Sequence, residues 1–270
     1  MEERFKAAAV RDMRLHFGDY WRAAFDGRAD HTAALIAPAS YVLDAAGTRL
    51  VIDPVFRFSW MEEQVADRWQ ADLAAADGVL YTHRHGDHFS PETALAAVRA
   101  GAKVYLPAFF PEAAVPGVIP IEAGKPFFIG SLRITPFVSP HFAADRVTGV
   151  PEYGYRIETP RRTLLFCGDV RCYDPARLPV GKAPDTMFLH VWLGRGNAQN
   201  PPCEPYLTDF ARFAVSAHPK RVFLAHLYEI GRPLHEMWTY QHAGLCADAI
   251  AALDASVEVS AMRFGRRYPV

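Results

Sequence analysis

The stretch Tyr81-Thr82-His83-Arg84-His85-Gly86-Asp87-His88 places three histidines and one aspartate within six positions. All four side chains can donate a lone pair to a metal ion, and imidazole combined with carboxylate suits zinc or iron. The apolar run 78–82 predicts a buried strand, and Ser90 and Pro91 predict a helix N-cap and first turn. The sequence therefore predicts a metal-binding loop between a strand and a helix. Four ligands in six positions disfavour the alternative, a solvated polar loop.

Composition and charge limit the class of protein. The chain of 270 residues is 50% hydrophobic and 22% charged, which predicts a globular protein with a sizeable core. Its net charge of −1 gives no global basic character that would point to a nucleic-acid partner. The four cysteines form no CxxC pair, and no apolar run resembles a signal peptide or a membrane span. We expect a cytoplasmic protein without a membrane span.

The N-terminal part predicts helix followed by strands. Residues 3–27 suggest two helical pieces interrupted at Gly18, with an aromatic stripe spaced for one buried face that packs on the domain or on a partner subunit. We divide the chain into an N-terminal helical extension, 1–30, and a catalytic domain, 31–270. The aromatic helices are compatible with a homo-oligomer. Two strands over 39–44 and 48–53 form a hairpin, and one helix is expected over 61–76.

Three more potential ligands each follow an apolar run that predicts a strand. They are His141, Asp169 and His226, and α/β proteins place their sites at such strand ends. A catalytic zinc takes about three protein ligands, so seven residues suit two ions that share a carboxylate, about 3.5–4 Å apart. The predicted ligands are His83, His85, Asp87, His88, His141, Asp169 and His226.

This pattern resembles the metallo-β-lactamase-fold superfamily, from about Ala39 to the end of the chain. The resemblance implies an α/β protein with a four-layer αβ/βα sandwich and its metals at one edge between two sheets. It implies that His83, His85 and His141 hold the first metal, that Asp87, His88 and His226 hold the second, and that Asp169 bridges them. Asp53-Pro54 also looks like the family's pattern. Asp53 is expected either to orient a ligating imidazole or to start a turn.

Several branches of the superfamily can be compared with the chain. Di-iron oxygen-reducing members carry Glu where His85 stands, and class B β-lactamases usually carry Cys where Asp169 stands. The short Ile52-Asp53-Pro54 link and the compact size look most like ascorbate-6-phosphate lactonase and related phosphodiesterases. N-acylphosphatidylethanolamine phospholipase D shares the general pattern, and a mono-iron sulfur dioxygenase uses a subset of these ligands. The long inserted arm of tRNA-processing members is not evident.

We therefore predict a metallo-hydrolase with two Zn²⁺ ions, with Mn²⁺ or Fe as other choices. A metal-bound hydroxide would cleave a phosphodiester, a lactone or a related ester in a small-molecule substrate. Three alternatives remain. They are a lipid hydrolase like the phospholipase D named above, which the aromatic run Phe56–Trp60 would support, a mono-iron sulfur dioxygenase, and a non-catalytic metal-binding scaffold.

Roles beyond metal binding are also predicted. We expect Asp87, Asp169 and His190 to be catalytic, with Asp87 or a metal-bound water as the acid for the leaving group. His190 follows a strand and is expected either to contact substrate and donate a proton or to be a core histidine. Arg195 and His235 fall in loops at the expected edge of the site and are predicted to bind substrate; surface residues are the alternative. His235, Trp238, Tyr240 and His242 are expected in one loop.

Overall fold

The computed structural model describes residues 2–142 and 149–270, without the side chains of residues 2, 3 and 5. The described residues form six α-helices and fourteen β-strands, numbered along the chain. The helices are α1 Glu2–Phe25, α2 Ser59–Glu63, α3 Trp69–Ala74, α4 Pro91–Arg99, α5 Tyr206–Ser216 and α6 Tyr240–Leu253. The strands are β1 Thr32–Ala37, β2 Ser40–Ala45, β3 Thr48–Ile52, β4 Gly78–Leu80, β5 Val104–Pro107, β6 Val118–Ile121, β7 Phe127–Ile129, β8 Leu132–Val138, β9 Tyr153–Glu158, β10 Thr163–Phe166, β11 Thr186–His190, β12 Arg221–Ala225, β13 Glu258–Ala261 and β14 Arg267–Pro269.

The strands form two mixed sheets of seven strands each. The first has the order β14-β1-β2-β3-β4-β5-β6, and the second has the order β13-β12-β11-β10-β9-β8-β7. In the first sheet β3 to β6 are parallel, and in the second β10 to β13 are parallel. The β2–β3 hairpin turns at Ala46 and Gly47, whose φ angles of 49° and 76° are those of the turn that matches strand twist.

Three apolar layers hold four layers of secondary structure together. The middle layer lies between the sheets and joins Leu43 and Leu80 to Phe166 and Phe188. The rings of Phe166 and Phe188 stack with their centroids 3.9 Å apart. A second layer packs α1 to α4 on the first sheet, and a third packs α5 and α6 on the second sheet. Burial of each large apolar side chain contributes roughly 1.5–3 kcal/mol. The predicted four-layer αβ/βα sandwich is confirmed.

Helix α1 is continuous through Gly18, so the predicted interruption is wrong. A Cβ at position 18 would lie 3.0 Å from the Gln64 carbonyl oxygen, and the Gly18 N–H donates to Gln64 Oε1 over 3.0 Å. The glycine therefore allows a close approach, at a cost of about 1 kcal/mol in helix propensity. Trp21 is buried in the apolar layer on the first sheet, and the boundary at residue 30 stays a prediction.

The helix expected over 61–76 is also wrong, because two short helices, α2 and α3, replace it. Between them the side chain of Gln64 reaches α1, where its Nε2 donates to the Arg14 carbonyl oxygen over 2.9 Å. This tertiary contact stabilises a turn over residues 64–68, where the spacing of apolar residues favours a continuous helix. Val65, Trp69 and Leu73 are nonetheless all buried.

Two further differences concern segments outside the predicted elements. Strands β1, β6 and β14 all lie outside the predicted strands, and β1 pairs with β2 and β14. Tyr240 and His242 begin helix α6 instead of lying in a loop, and Thr239 and His242 form a reciprocal cap at its N-terminus. None of the helices in residues 2–142 and 149–270 has the length and apolar character that crossing a membrane requires.

Candidate metal centre

The cluster His83 to His88 lies on the loop between β4 and α4. Ser90 caps α4, because its hydroxyl accepts the Thr93 N–H over 3.1 Å. Within the loop, the His88 N–H donates to the His85 carbonyl oxygen over 2.9 Å. A buried strand and a capped helix thus hold both ends of the loop and aim its imidazoles toward the gap between the sheets.

The structure brings the predicted ligands together in two adjoining groups. Within each group, the potential ligand atoms lie within 4.8 Å of one another. The first group is His83, His85, His141 and Asp169, and the second is His88, Asp169, His190 and His226. Asp169 belongs to both groups. Asp87 joins the second through His226, with Oδ2 3.2 Å from Nε2.

Asp169 occupies the position expected of a bridging ligand. Its Oδ1 lies 3.4 Å from His88 Nε2, and its Oδ2 lies 3.6 Å from His226 Nε2 and 4.0 Å from His83 Nε2. The Asp169 carboxylate therefore faces imidazoles from loops of both sheets: His83 and His88 follow β4 of the first sheet, and His226 follows β12 of the second. One carboxylate between two sets of imidazoles is the arrangement that a two-metal site needs.

Two buried carboxylates orient the imidazoles of the cluster. His88 Nδ1 donates to Asp53 Oδ2 over 2.7 Å, and the Thr82 hydroxyl donates to the same oxygen over 2.6 Å. His83 Nδ1 donates to Glu152 Oε1 over 2.8 Å. Each bond occupies Nδ1 and leaves Nε2 to face the other ligands. Asp53 therefore orients an imidazole, as one of its two predicted roles required.

Glu152 also holds Asp169, although sequence reasoning missed it. The Asp169 N–H lies 3.0 and 3.1 Å from the two Glu152 oxygens. Gly168 makes room for this contact, because a Cβ at position 168 would lie 2.5 Å from Glu152 Oε1. Glu152 precedes β9 with no other potential ligand beside it, so no local pattern distinguishes it.

His190 is buried between Asp169 and Tyr41, a partner that sequence reasoning also missed. Its Nδ1 donates to Asp169 Oδ1 over 2.6 Å, and the Tyr41 hydroxyl donates to its Nε2 over 2.7 Å. These two bonds assign the tautomer with the proton on Nδ1. Both ring nitrogens thus have partners in the protein, and a catalytic or substrate-binding role for His190 stays a prediction.

A third group of ligand atoms adjoins the second. Glu229 lies with Asp87 and His226 within 4.8 Å, and its carboxylate is buried between Arg57 and Arg232. The only sequence signal for Glu229 is its place three residues after His226. The loop there is strained, with φ of 63° at His226 and 54° at Tyr228.

The two groups differ in the ionisation of their imidazoles. Burial lowers the pKa of His83 and His85, and burial with Arg171 and His85 lowers the pKa of His141 to about 3 against the opposing effect of Asp169. In the second group, burial lowers the pKa of His190 to about 4. At neutral pH the imidazoles of the first group are therefore neutral and have lone pairs for a metal.

The second group carries more charge. Burial lowers the pKa of His88 and His226, but Asp169 and Asp87 more than offset it, so both pKa values are raised. Burial likewise raises the pKa of Asp87 and Asp169, and His88 and His226 more than offset it, so both carboxylates are anionic. The predicted role of Asp87 as the acid for the leaving group stays a prediction.

Two orphaned nitrogens show that these residues fit metal ions. Nε2 of His88 and Nε2 of His141 are buried and have no hydrogen-bond partner in the part of the chain that the structure describes. Buried polar atoms without a partner are costly, and a metal ion in each group would satisfy one of them. The mixed imidazole and carboxylate donors suit Zn²⁺, and they also suit Mn²⁺ or Fe.

The predicted substrate residues Arg195 and His235 are exposed, and His235 belongs to none of the three groups. Their predicted roles stay predictions. The Arg171 guanidinium lies over the Trp192 ring, 5.9 Å from its centroid. Its positive charge helps to lower the pKa of His85 and His141.

Comparisons with known proteins agree with this geometry. The family model described as beta-lactamase superfamily domain matches residues 48–227. A comparison with curated proteins gives no match. Among solved structures, Igni18, a metallo hydrolase from Ignicoccus hospitalis, is similar at a TM-score of 0.59 and 16% identity, over 88% of this chain and 97% of that chain.

Two other solved structures carry different activities in their names. Isothiocyanate hydrolase from Delia radicum gut bacteria is similar at a TM-score of 0.60 and 17% identity, over 88% of this chain and 98% of that chain. CmlA, a diiron beta-hydroxylase from Streptomyces venezuelae, is similar at a TM-score of 0.61 and 20% identity, over 90% of this chain and 55% of that chain. At these identities the likeness concerns the fold alone.

Proposed function

The chain belongs to the beta-lactamase superfamily, and from this premise we propose that it is a metallo-hydrolase that uses two divalent metal ions to hydrolyse a phosphodiester, a lactone or a related ester. The observation that carries the proposal is the position of Asp169, which belongs to both groups of ligand atoms. A site for one ion would not need a carboxylate shared in this way.

The proposed ligands divide between the groups. His83, His85 and His141 would hold the first ion, Asp87, His88 and His226 the second, and Asp169 both. When bound, the ions supply an activated water near neutral pH and an electrophile for the oxygen that gains charge.

The protein's own residues supply orientation and exclusion of water. Asp53 and Glu152 hold the rings of His88 and His83 by their Nδ1 atoms, and Glu152 also binds the Asp169 main chain. Tyr41 and His190 fix the Asp169 carboxylate from the other side. Because His83 and His88 are fully buried, the charges act in a medium of low dielectric constant, where their effect is larger than in water.

The test combines metal analysis with a screen for hydrolysis. We expect about two transition-metal ions per chain, and turnover of at least one substrate among bis-p-nitrophenyl phosphate, cyclic nucleotides, lactones and N-acyl phospholipids. Asp169→Asn should lower the metal content and reduce turnover by more than about 100-fold, since residues that only orient ligands already contribute 10–100-fold. The exposed Asp174→Asn serves as a control.

Other outcomes point to other reactions. One tightly held iron per chain, with activity only on a persulfide, would replace the hydrolase by a sulfur dioxygenase. Two irons with oxygen-dependent activity would favour the kind of reaction named for CmlA. Binding to liposomes with turnover of N-acyl phospholipids would select the lipid hydrolase.

A further inference from the structure

Arg57 and Arg232 meet at a single buried carboxylate beside the metal centre. Arg57 lies in the loop after β3, and its Nη1 donates to Glu229 Oε1 over 2.7 Å. Arg232 lies in the loop after β12, and its Nε donates to Glu229 Oε2. The side chain of Glu229 is 6% exposed, whereas those of Arg57 and Arg232 are 31% and 24% exposed. The arginines are therefore accessible while the carboxylate between them is not.

The two guanidinium groups have N–H donors that Glu229 does not use. A guanidinium has five N–H donors in a planar fork, and each arginine uses one side-chain nitrogen on Glu229. One carboxylate also balances only one of the two positive charges. Gly231 keeps Arg57 close to the loop, because a Cβ there would lie 3.3 Å from its Nε and Nη2.

A small apolar recess lies between Arg57 and Asp87 at the edge of the metal centre. Val55, Met61 and Ile230 line it together with Asp87, Arg57 and Glu229. Glu229 stands within 4.8 Å of ligand atoms of Asp87 and His226. A molecule that reacts beside Asp87 would therefore extend over apolar side chains toward the unused N–H donors of Arg57.

We propose that Arg57 and Arg232, held by Glu229, bind an oxyanion of the substrate, a carboxylate or a phosphate, at a distance of a few bonds from the scissile ester. The planar fork of arginine matches both oxyanions and binds them through paired hydrogen bonds. This inference rests on the proposed hydrolase function for the reacting end of the molecule. It assigns the substrate class as a compact ester or lactone that also carries an acidic group.

A purely structural role for the triplet predicts a different result. In that case Arg57 and Arg232 only tie the loop after β3 to the loop after β12, and their loss would weaken the binding of any ligand equally. An oxyanion site instead loses affinity only for ligands that carry a second anionic group.

The experiment measures this selectivity by calorimetry on the zinc-loaded protein. The ligands are propionate, succinate and 3-phosphonopropionate, which share a two-carbon chain and a carboxylate and differ at the far end. Any contact of the common carboxylate with the metals cancels in the comparison. We expect the better of succinate and 3-phosphonopropionate to bind at least about tenfold more tightly than propionate, as one hydrogen bond to a charged group allows. Which of them binds more tightly identifies the oxyanion as carboxylate or phosphate.

Arginine variants then test the assignment. Arg57→Gln and Arg232→Gln should each reduce the preference over propionate about tenfold and leave propionate itself unchanged. Arg57→Lys and Arg232→Lys should lose part of the preference, since lysine keeps the charge without the fork. They replace the Gln variants if circular dichroism shows that those fail to fold. Arg68→Gln is the control, because Arg68 is also 24% exposed and pairs with Asp26 and Asp72 on another face.

Equal affinity of the wild-type protein for all three ligands, or an equal loss for all three in the arginine variants, would overturn the proposal. A kinetic pair separates it from the hydrolase function: 4-nitrophenyl acetate and 4-nitrophenyl hemisuccinate have the same leaving group. Selective binding without hydrolysis of any ester would support the oxyanion site and contradict the hydrolase function. Hydrolysis of both esters at equal kcat/KM, without selective binding, would support the hydrolase function and contradict the oxyanion site.

Discussion

Oε1 of Glu152 lies 2.8 Å from Nδ1 of His83, and the side chains of both residues are completely buried. The same carboxylate accepts the main-chain N–H of Asp169. Glu152 therefore contacts one proposed ligand of the first group and the proposed ligand that both groups share.

Glu152→Gln should lower zinc affinity about 10–100-fold, the usual effect of removing a group that orients a ligand. An amide keeps the shape but has one acceptor oxygen for the two donors, so the ring of His83 or the main chain of Asp169 loses its partner. Competition with a chromogenic chelator measures the affinity. Glu158→Gln, at the half-buried far end of β9, is the control. An unchanged affinity in Glu152→Gln would show that His83 needs no such support.

The binding of the two metal ions should depend differently on pH. A ligating imidazole must be neutral. The pKa values of His83, His85 and His141 are lowered, so no proton competes with a metal there at pH 7. The pKa values of His88 and His226 are raised, so these rings must lose protons before they bind.

We therefore expect one binding event with little proton release at pH 7 and another that releases about one to two protons. The affinity of the second event should fall as the pH drops below neutrality, while that of the first should fall less. Zinc titrations in two buffers with different ionisation heats give the proton count for each event. Equal proton release in both events would contradict the assigned charges.

Tyr41→Phe should destabilise the protein by about 1–3 kcal/mol, the cost of leaving a buried polar group without its partner. The change removes the hydroxyl that donates to His190 Nε2 and keeps the edge-on contacts of the ring with Phe166 and Phe188. Urea unfolding of the zinc-free protein measures the free energy of unfolding. Tyr105→Phe is the matched control, because its buried ring stacks on Phe127 and the described residues offer its hydroxyl no partner. Equal losses in the two variants would argue against the Tyr41–His190 bond.

Asp44→Asn should destabilise the protein by roughly 3–5 kcal/mol at pH 7, as expected when one partner of a buried ion pair is removed. Asp44 accepts Arg49 Nε over 2.7 Å and Arg267 Nη1 over 3.0 Å. Burial raises the pKa of Asp44, but the hydrogen bonds and charges of these arginines more than offset it, so the net pKa is lowered.

A lowered folded-state pKa means that this contribution is fully present above about pH 4, the value for an unfolded aspartate, and is lost as the pH falls through the folded pKa. The difference in the free energy of unfolding between wild type and Asp44→Asn should thus stay constant from about pH 5 to 8 and shrink in stronger acid. Denaturant unfolding across this range measures it. Asp19→Asn, with an exposed side chain, should change stability by less than about 1 kcal/mol at any pH.

Local patterns predicted much of the fold. Alternation and apolar runs located most strands, and the cap at Ser90 located α4, because these signals act between residues a few positions apart. The same reasoning was wrong at Gly18 and in 61–76, where Gln64 binds α1. There a tertiary contact overrides a local preference. The boundary at residue 30, the homo-oligomer and the cytoplasmic setting stay predictions.

The sequence by itself determined the donor set, because His83, His85, Asp87 and His88 stand within six positions and His141, Asp169 and His226 each follow a strand. Only the tertiary structure decided how the donors are held and what surrounds them. Glu152 reaches His83 from the opposite sheet, and Arg57 meets Glu229 only because the loops after β3 and β12 converge. Contacts between distant loops produce no periodic pattern in the sequence, because they form only when the two sheets stack and bring those loops to one edge.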